Sequence, residues 1–170
     1  TIGPRITLTD AQFAAVPMVR GERAEGVEGG VKAQLMDRQL NVSVIGYLYN
    51  YKDLQVSFLV PALSTAVLGN GADARVQGVE FSADYHPESV PGLTLNALVA
   101  YNDTHYRKFP GAGCYVGQPA GPPGGPGCFT PVGQPASVRV QDLAGKPGQM
   151  APKLTGSVGA SYNWDVGNEY

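Results

Sequence analysis

Residues 74–108 read ARVQGVEFSADYHPESVPGLTLNALVAYNDTHYRK, two long alternating segments joined by a short turn. In the first segment Val79 and Phe81 alternate with Glu80 and Ser82. The second alternates in the same way, with apolar residues at the odd positions from 93 to 101. Successive side chains of a β-strand point to opposite faces of its sheet, so this pattern predicts a pair of antiparallel strands.

The same alternation extends over most of the chain. Short turns are predicted at Asp37–Gln39 and Pro87–Gly92, whereas the connections 57–73 and 109–150 are long and rich in Gly. The pattern predicts an all-β, antiparallel up-and-down meander with the short turns at one end and the long loops at the other. This asymmetry is typical of transmembrane β-barrels. The strands are expected at about 24–35, 40–56, 74–86, 93–108 and 153–164, after a loop at 1–22 in which residues 8–12 resemble a helix start.

Length and composition are consistent with a barrel. The predicted strands have about 12–17 residues, more than the roughly 9–11 that cross a bilayer. The chain is 43% hydrophobic and 15% charged, and no apolar run approaches the roughly 18 residues of a transmembrane helix. The net charge of −2 gives no indication of nucleic-acid binding. A soluble or surface-exposed β-sandwich that binds a protein or carbohydrate remains the alternative.

The alternation also predicts the environment that each face of the sheet contacts. In a barrel, the apolar face contacts lipid and the polar face lines a hydrated or plugged lumen. The predicted lipid-facing residues are Val27, Val31, Leu35, Val79, Phe81, Leu95 and Val99. The predicted lumen-facing residues are Glu28, Lys32, Glu80, Asn96 and Asn102. Aromatic residues near the strand ends indicate either interfacial girdles or ordinary β-propensity: Tyr47, Tyr49, Tyr51, Tyr85, Tyr101, Tyr106 and Trp164.

The long loop contains both cysteines of the chain, Cys114 and Cys128. Residues 111–135 hold 8 Gly and 6 Pro, which excludes regular secondary structure in this segment. Two cysteines in such a loop predict a disulfide, and hence an oxidising compartment. A metal site is the weaker alternative because no histidine lies near either cysteine in the sequence.

No catalytic set is recognisable. His86 precedes a turn, and His105 lies two residues from Asp103, a spacing that more commonly means a surface pair than an acid–base pair. Nucleophile, zinc-protease and phosphate-loop motifs do not occur in the sequence. We therefore predict neither an enzyme nor a bound metal or cofactor.

Several phrases together resemble the barrel of TonB-dependent outer-membrane receptors. They are AEGVEGGVK at 24–32, YLYNYKDLQV at 47–56, ARVQGVEFS at 74–82 and APKLTGSVGASY at 151–162. Each phrase alone is weak, but their order and spacing are typical of the later barrel strands. The resemblance covers about residues 20–110 and 140–165.

The resemblance implies a 22-stranded barrel in the outer membrane of a Gram-negative bacterium. It implies lipid as a partner, a small imported substrate such as a ferric siderophore, and TonB, which would act through a plug region that we expect to lie outside this chain. Substrate contacts are expected on the outer loops. Three candidates lie near the end of a long strand, and two lie beside the cysteines. They are His105, Tyr106 and Arg107, and Tyr115 and Phe129.

Overall fold

The computed structural model describes residues 18–60, 65–123, 125–134 and 136–164. Five strands form one sheet in the order β1-β2-β3-β4-β7, and β5 and β6 form a two-stranded sheet. The predicted all-β meander is confirmed. Among the described residues no helix is long and apolar enough to cross a membrane. The strands are β1 Arg23–Leu35, β2 Leu40–Val60, β3 Thr65–Tyr85, β4 Leu93–Lys108, β5 Ala112–Gly113, β6 Val140–Gln141 and β7 Leu154–Tyr162.

The chain divides into two compact units. The sheet unit comprises Glu25–Tyr49, Arg75–Thr104 and Pro147–Tyr170, and the loop unit comprises Thr1–Ala24, Asn50–Ala74 and His105–Lys146. Residues 1–17, which include the predicted helix start and most of the predicted loop 1–22, lie outside the described residues.

In the sheet unit, the pairing of β4 with β7 separates apolar from polar residues. Directly opposite residues of an antiparallel pair share a face. One face carries the pairs Leu93–Tyr162, Leu95–Ala160, Ala97–Val158, Val99–Gly156 and Tyr101–Leu154. The other face carries Thr94–Ser161, Asn96–Gly159, Leu98–Ser157 and Ala100–Thr155. The first face is therefore apolar over its whole length and the second is mostly polar.

The apolar face is exposed. All seven residues predicted to face lipid are large exposed hydrophobic side chains, from Leu95 at 37% to Val27 at 72%. On β7, Val158 is 86% exposed. Water-soluble monomers rarely expose a contiguous apolar surface of this extent, so this face requires an apolar environment.

The opposite face carries tyrosines that contact polar groups. The Tyr49 hydroxyl donates a hydrogen bond to Glu28 Oε2 at 2.8 Å. Tyr49 and Tyr47 also lie over glycines: a Cβ at Gly26 would be 2.8 Å from Tyr49 Cε1, and one at Gly78 would be 2.6 Å from the Tyr47 hydroxyl oxygen. Tyr47 and Tyr49 thus belong to the polar face, and the interpretation of these two residues as part of a lipid-facing girdle is wrong.

The two short turns of the sheet unit are hydrogen-bonded to each other. Met36, Asp37 and Arg38 all have positive φ, from 52° to 71°, which is uncommon for residues other than glycine. Gln39 closes this turn by donating from its backbone N–H to Met36 O at 3.0 Å. The Gln39 carbonyl accepts from the backbone N–H of His86 at 2.7 Å, and its side chain accepts from that of Glu88 at 3.0 Å. Both short turns therefore lie at the same end of the sheet, as predicted.

The predicted loop 57–73 is wrong in extent, because β2 continues to Val60 and β3 begins at Thr65. Within β3 the Asn70 side chain donates to the carbonyls of Asp53 at 2.5 Å and Arg20 at 3.0 Å. Its Oδ1 accepts from the Arg20 N–H at 2.7 Å. These bonds link β3 to the backbone of β2 and to the segment before β1.

We predict that Gly78→Val destabilises the folded barrel by about 1–3 kcal/mol, because the new side chain would overlap Tyr47 and the carbonyl oxygen of Tyr101. The matched control is Gly29→Val, since a Cβ at Gly29 meets nothing within 4 Å. Denaturant unfolding of the full receptor in detergent measures both variants. Equal unfolding midpoints for the two would contradict the close packing of Tyr47 on Gly78.

Candidate functional site

The loop unit has its own small hydrophobic core. Phe109, Ala72 and Ala112 are 6%, 2% and 3% exposed. Tyr106 packs edge-on against Phe109, with ring centroids 5.1 Å apart and an interplanar angle of 65°. Further partly buried residues around this core are Leu54, Val56 and Leu143. The end of β4, the β2–β3 hairpin and the long loop therefore share one core.

A disulfide links Cys114 to Cys128 across a sequence separation of 14 residues. Cys128 is 1% exposed. Its backbone is held on both sides, because its N–H donates to Pro119 O and its carbonyl accepts from Gly121 N–H, each at 2.9 Å. Closing a loop of about 15 residues contributes roughly 3 kcal/mol in the chain-entropy model.

The rest of the long loop is also fixed by backbone hydrogen bonds. Contrary to the sequence prediction that 111–135 contains no regular structure, Ala112–Gly113 pairs with Val140–Gln141. Phe129 and Val140 exchange two hydrogen bonds of 2.9 Å. These pairings arise because the disulfide and the core bring together segments that are distant in sequence.

The segment after β6 returns along the end of β4. Leu143 N–H donates to Phe109 O at 2.9 Å, and Gly145 N–H donates to Tyr106 O at 2.7 Å. Tyr106 N–H in turn donates to Lys146 O at 3.0 Å. The described residues from 109 to 146 therefore form a platform that is hydrogen-bonded to the end of β4 and closed internally by the disulfide.

This platform contains a cavity of about 390 Å³. Such a volume is near the lower end of the roughly 300–1,000 Å³ typical of small-molecule sites. Its lining combines polar side chains with a proline- and glycine-rich wall: Tyr115, Gln118, Pro119, Ala120, Pro126, Gly127, Gln141, Asp142 and Lys146. We call it the loop cavity.

Two glutamine side chains organise the polar side of the loop cavity. Gln118 Oε1 accepts from the Tyr115 backbone N–H at 3.2 Å, and Gln118 Nε2 donates to Gln141 Oε1 at 2.9 Å. Gln141 Nε2 then donates to Gly113 O at 2.7 Å. Asp142 Oδ1 accepts from the Ala144 N–H at 2.8 Å. The amide groups are thus held in fixed orientations before any ligand arrives.

The five residues predicted to contact substrate have different surroundings in the structure. Tyr115 lines the loop cavity and is 65% exposed. Tyr106 belongs to the hydrophobic core, so its main contacts are structural. His105 and Arg107 are neighbours of Tyr106 on β4, and strand alternation puts both on the face opposite to it. Phe129 is half-buried beside Val140 and is not part of the cavity lining.

The polar residues of the loop cavity were not predicted from the sequence: Gln118, Gln141, Asp142 and Lys146. Gln118 and Gln141 are separated by 23 positions, and no motif connects them. The pairing of β5 with β6 puts Gln141 opposite Ala112, near the turn Tyr115–Gln118 that follows β5. Within the described part of the chain, no group of three or more His, Cys, Asp or Glu residues could hold a metal ion.

Comparison with known families agrees with the five-stranded sheet and its two unlike faces. The family model described as TonB dependent receptor-like, beta-barrel, matches residues 5–170. The chain belongs to this TonB-dependent receptor family. No curated protein and no solved structure matches it significantly.

Membership of the TonB-dependent receptor family explains the exposed apolar face. It implies a barrel wall in the Gram-negative outer membrane, where Val27, Val31 and Val158 meet lipid rather than water. The family also implies a TonB partner and imported substrates in general. The family match favours this barrel wall over the alternative of a soluble β-sandwich.

We predict that both cysteines of the TonB-dependent receptor resist alkylation in denaturant without reductant and react once reductant is added. Denaturant is needed because Cys128 is buried and would escape labelling even as a free thiol. Replacing both cysteines by serine should speed amide hydrogen exchange in residues 112–129, since the closed loop loses roughly 3 kcal/mol of stabilisation. Exchange in β4, from residue 93 to 101, serves as the internal control. Labelling in denaturant alone would contradict the disulfide.

Proposed function

We propose that this chain forms barrel wall and outer-loop surface of a TonB-dependent importer, and that its substrate is a scarce nutrient such as a ferric siderophore. The long loop contributes to capturing the substrate outside the cell. TonB supplies the energy for import through a plug region, and the surrounding outer-membrane lipid contacts the apolar face. The observation that carries the proposal is the family match over residues 5–170.

The ordered loop platform supports a role in capture. A binding surface that is fixed before the ligand arrives loses less conformational entropy on binding than a mobile one. Here the disulfide, the Phe109 core and the hydrogen bonds between β4 and residues 143–146 provide that order. Aromatic and basic side chains at the platform, among them Tyr115 and Arg107, offer stacking and charge to a ring-bearing or anionic ligand.

Transport rather than catalysis is proposed because the sequence has no recognisable nucleophile, general base or metal-ligand motif. The cavity residues Gln118 and Gln141 are amides, which do not titrate and so cannot act as general acids or bases. These hydrogen-bonded amides suit binding and release of a ligand without bond breaking.

We predict that the combined substitution of His105, Arg107 and Tyr115 by alanine lowers substrate uptake at least tenfold, because stacking and charged contacts each contribute on the order of 1 kcal/mol and about 1.4 kcal/mol corresponds to a factor of ten. Uptake of radiolabelled ferric siderophores by cells that produce the full receptor measures the effect. Tyr106→Phe is tested separately, since it keeps the ring that packs on Phe109.

The matched control replaces Val116 and Val132, both almost fully exposed in the same loop, by alanine. The amount of folded receptor in the outer membrane must be equal in all strains. Uptake that continues after deletion of the TonB-energising complex would refute the importer proposal. Uptake that is unchanged in the triple variant would remove the role of these loop residues.

A further inference from the structure

We propose that the loop cavity binds a neutral, hydroxyl-rich ring of pyranose size, either a free sugar or a sugar unit of a larger ligand. This inference rests on the importer part of the proposed function, and it assigns to the outer-loop surface a ligand class other than a simple ferric siderophore. Its basis is the set of hydrogen-bonding groups that the fold leaves available around the cavity.

The two glutamines present donors rather than acceptors. Each glutamine amide has two N–H donors and one carbonyl oxygen. The oxygens of Gln118 and Gln141 are both occupied, by the Tyr115 N–H and by Gln118 Nε2 respectively. Each Nε2 gives one of its hydrogens to a protein acceptor, Gln141 Oε1 or Gly113 O. One N–H of each amide therefore remains for a ligand oxygen.

The charges of the cavity cancel. Asp142 is half-buried and uses Oδ1 for the Ala144 N–H, which leaves Oδ2 as an acceptor. Lys146 is exposed, and its ammonium has no ion-pair partner in the described part of the chain. An anionic ligand would gain from Lys146 and lose from Asp142. A neutral ligand whose groups both donate and accept hydrogen bonds uses both residues, and this is the chemistry of sugar hydroxyls.

The volume of the loop cavity and the ring of Tyr115 also suit a sugar. A volume of about 390 Å³ accommodates a small ring or one end of a larger ligand. Tyr115 is 65% exposed at the cavity, so its ring offers a face for the C–H side of a sugar. The amides, oriented by their own hydrogen bonds, and the Asp142 carboxylate, oriented by the Ala144 N–H, are the groups that would bind the ring hydroxyls.

The test is saturation-transfer NMR on the purified full receptor in detergent, with the methyl glycosides of glucose, galactose and mannose as neutral probes. Methyl glucuronide is the anionic probe of the same shape, and a ferric trihydroxamate tests the siderophore class. We expect transfer to the ring protons of at least one neutral glycoside. Affinity should fall about tenfold in Asp142→Asn and in Tyr115→Ala, each of which removes one ligand contact.

Asp142→Asn keeps an oxygen for the Ala144 N–H, so the local fold is preserved. Gln134→Ala is the matched control, because Gln134 is an exposed glutamine of the same loop outside the cavity lining. The proposal is overturned by absence of transfer to all three neutral glycosides, by equal binding in Asp142→Asn and wild type, or by preferential binding of the glucuronide or the ferric chelate. TonB-dependent uptake in the same strains reports on the importer proposal separately, so the two can fail independently.

Discussion

The strand register is the constraint on which the rest of the structure depends. The side-chain period of a strand is two, so a slip of β4 against β7 by one residue would move every apolar side chain to the other face. The observed pairing of Tyr101 with Leu154 and of Val99 with Gly156 keeps the apolar residues together. The same register puts Asn96 opposite Gly159 on the polar face. This register therefore determines which side chains contact lipid and which face the lumen.

The polar face shows how large side chains fit on a closely spaced sheet. Tyr49 and Tyr47 cover the glycines Gly26 and Gly78, where any side chain would collide with the rings. The Tyr49 hydroxyl is satisfied by Glu28, so the aromatic ring buries strand backbone while its polar end remains hydrogen-bonded. Aromatic residues over glycines stabilise register in sheets generally. On this face the tyrosines are structural rather than interfacial.

In the loop unit, order comes from contacts between residues that are far apart in sequence. The disulfide closes one loop, and the Phe109 core anchors the platform to the β2–β3 hairpin. Neither contact depends on local propensity, because the intervening residues are mostly Gly and Pro. The combination explains how a segment that disfavours regular structure nevertheless holds a defined cavity.

Alternation in the sequence was enough to predict β4 from Leu93 to Lys108, the two short turns and the apolar face. It failed at the predicted loop 57–73, because β2 continues to Val60 and β3 begins at Thr65, where contacts such as that of Asn70 with Asp53 link the two strands. Tyr115 was predicted to contact substrate because of its position beside the cysteine loop. Gln118, Gln141, Asp142 and Lys146 could not be predicted, since they converge through the β5–β6 pairing.

The most direct test of the account is a spin-label scan along β4 from residue 93 to 101 in the full receptor reconstituted in lipid bilayers. Accessibility to molecular oxygen, which concentrates in lipid, is compared with accessibility to a water-soluble nickel chelate. The observed register predicts a period of two, with oxygen favoured at Leu95, Ala97 and Val99 and nickel at Asn96 and Leu98. Equal accessibility along the strand, or the opposite phase, would contradict the assignment of the two faces.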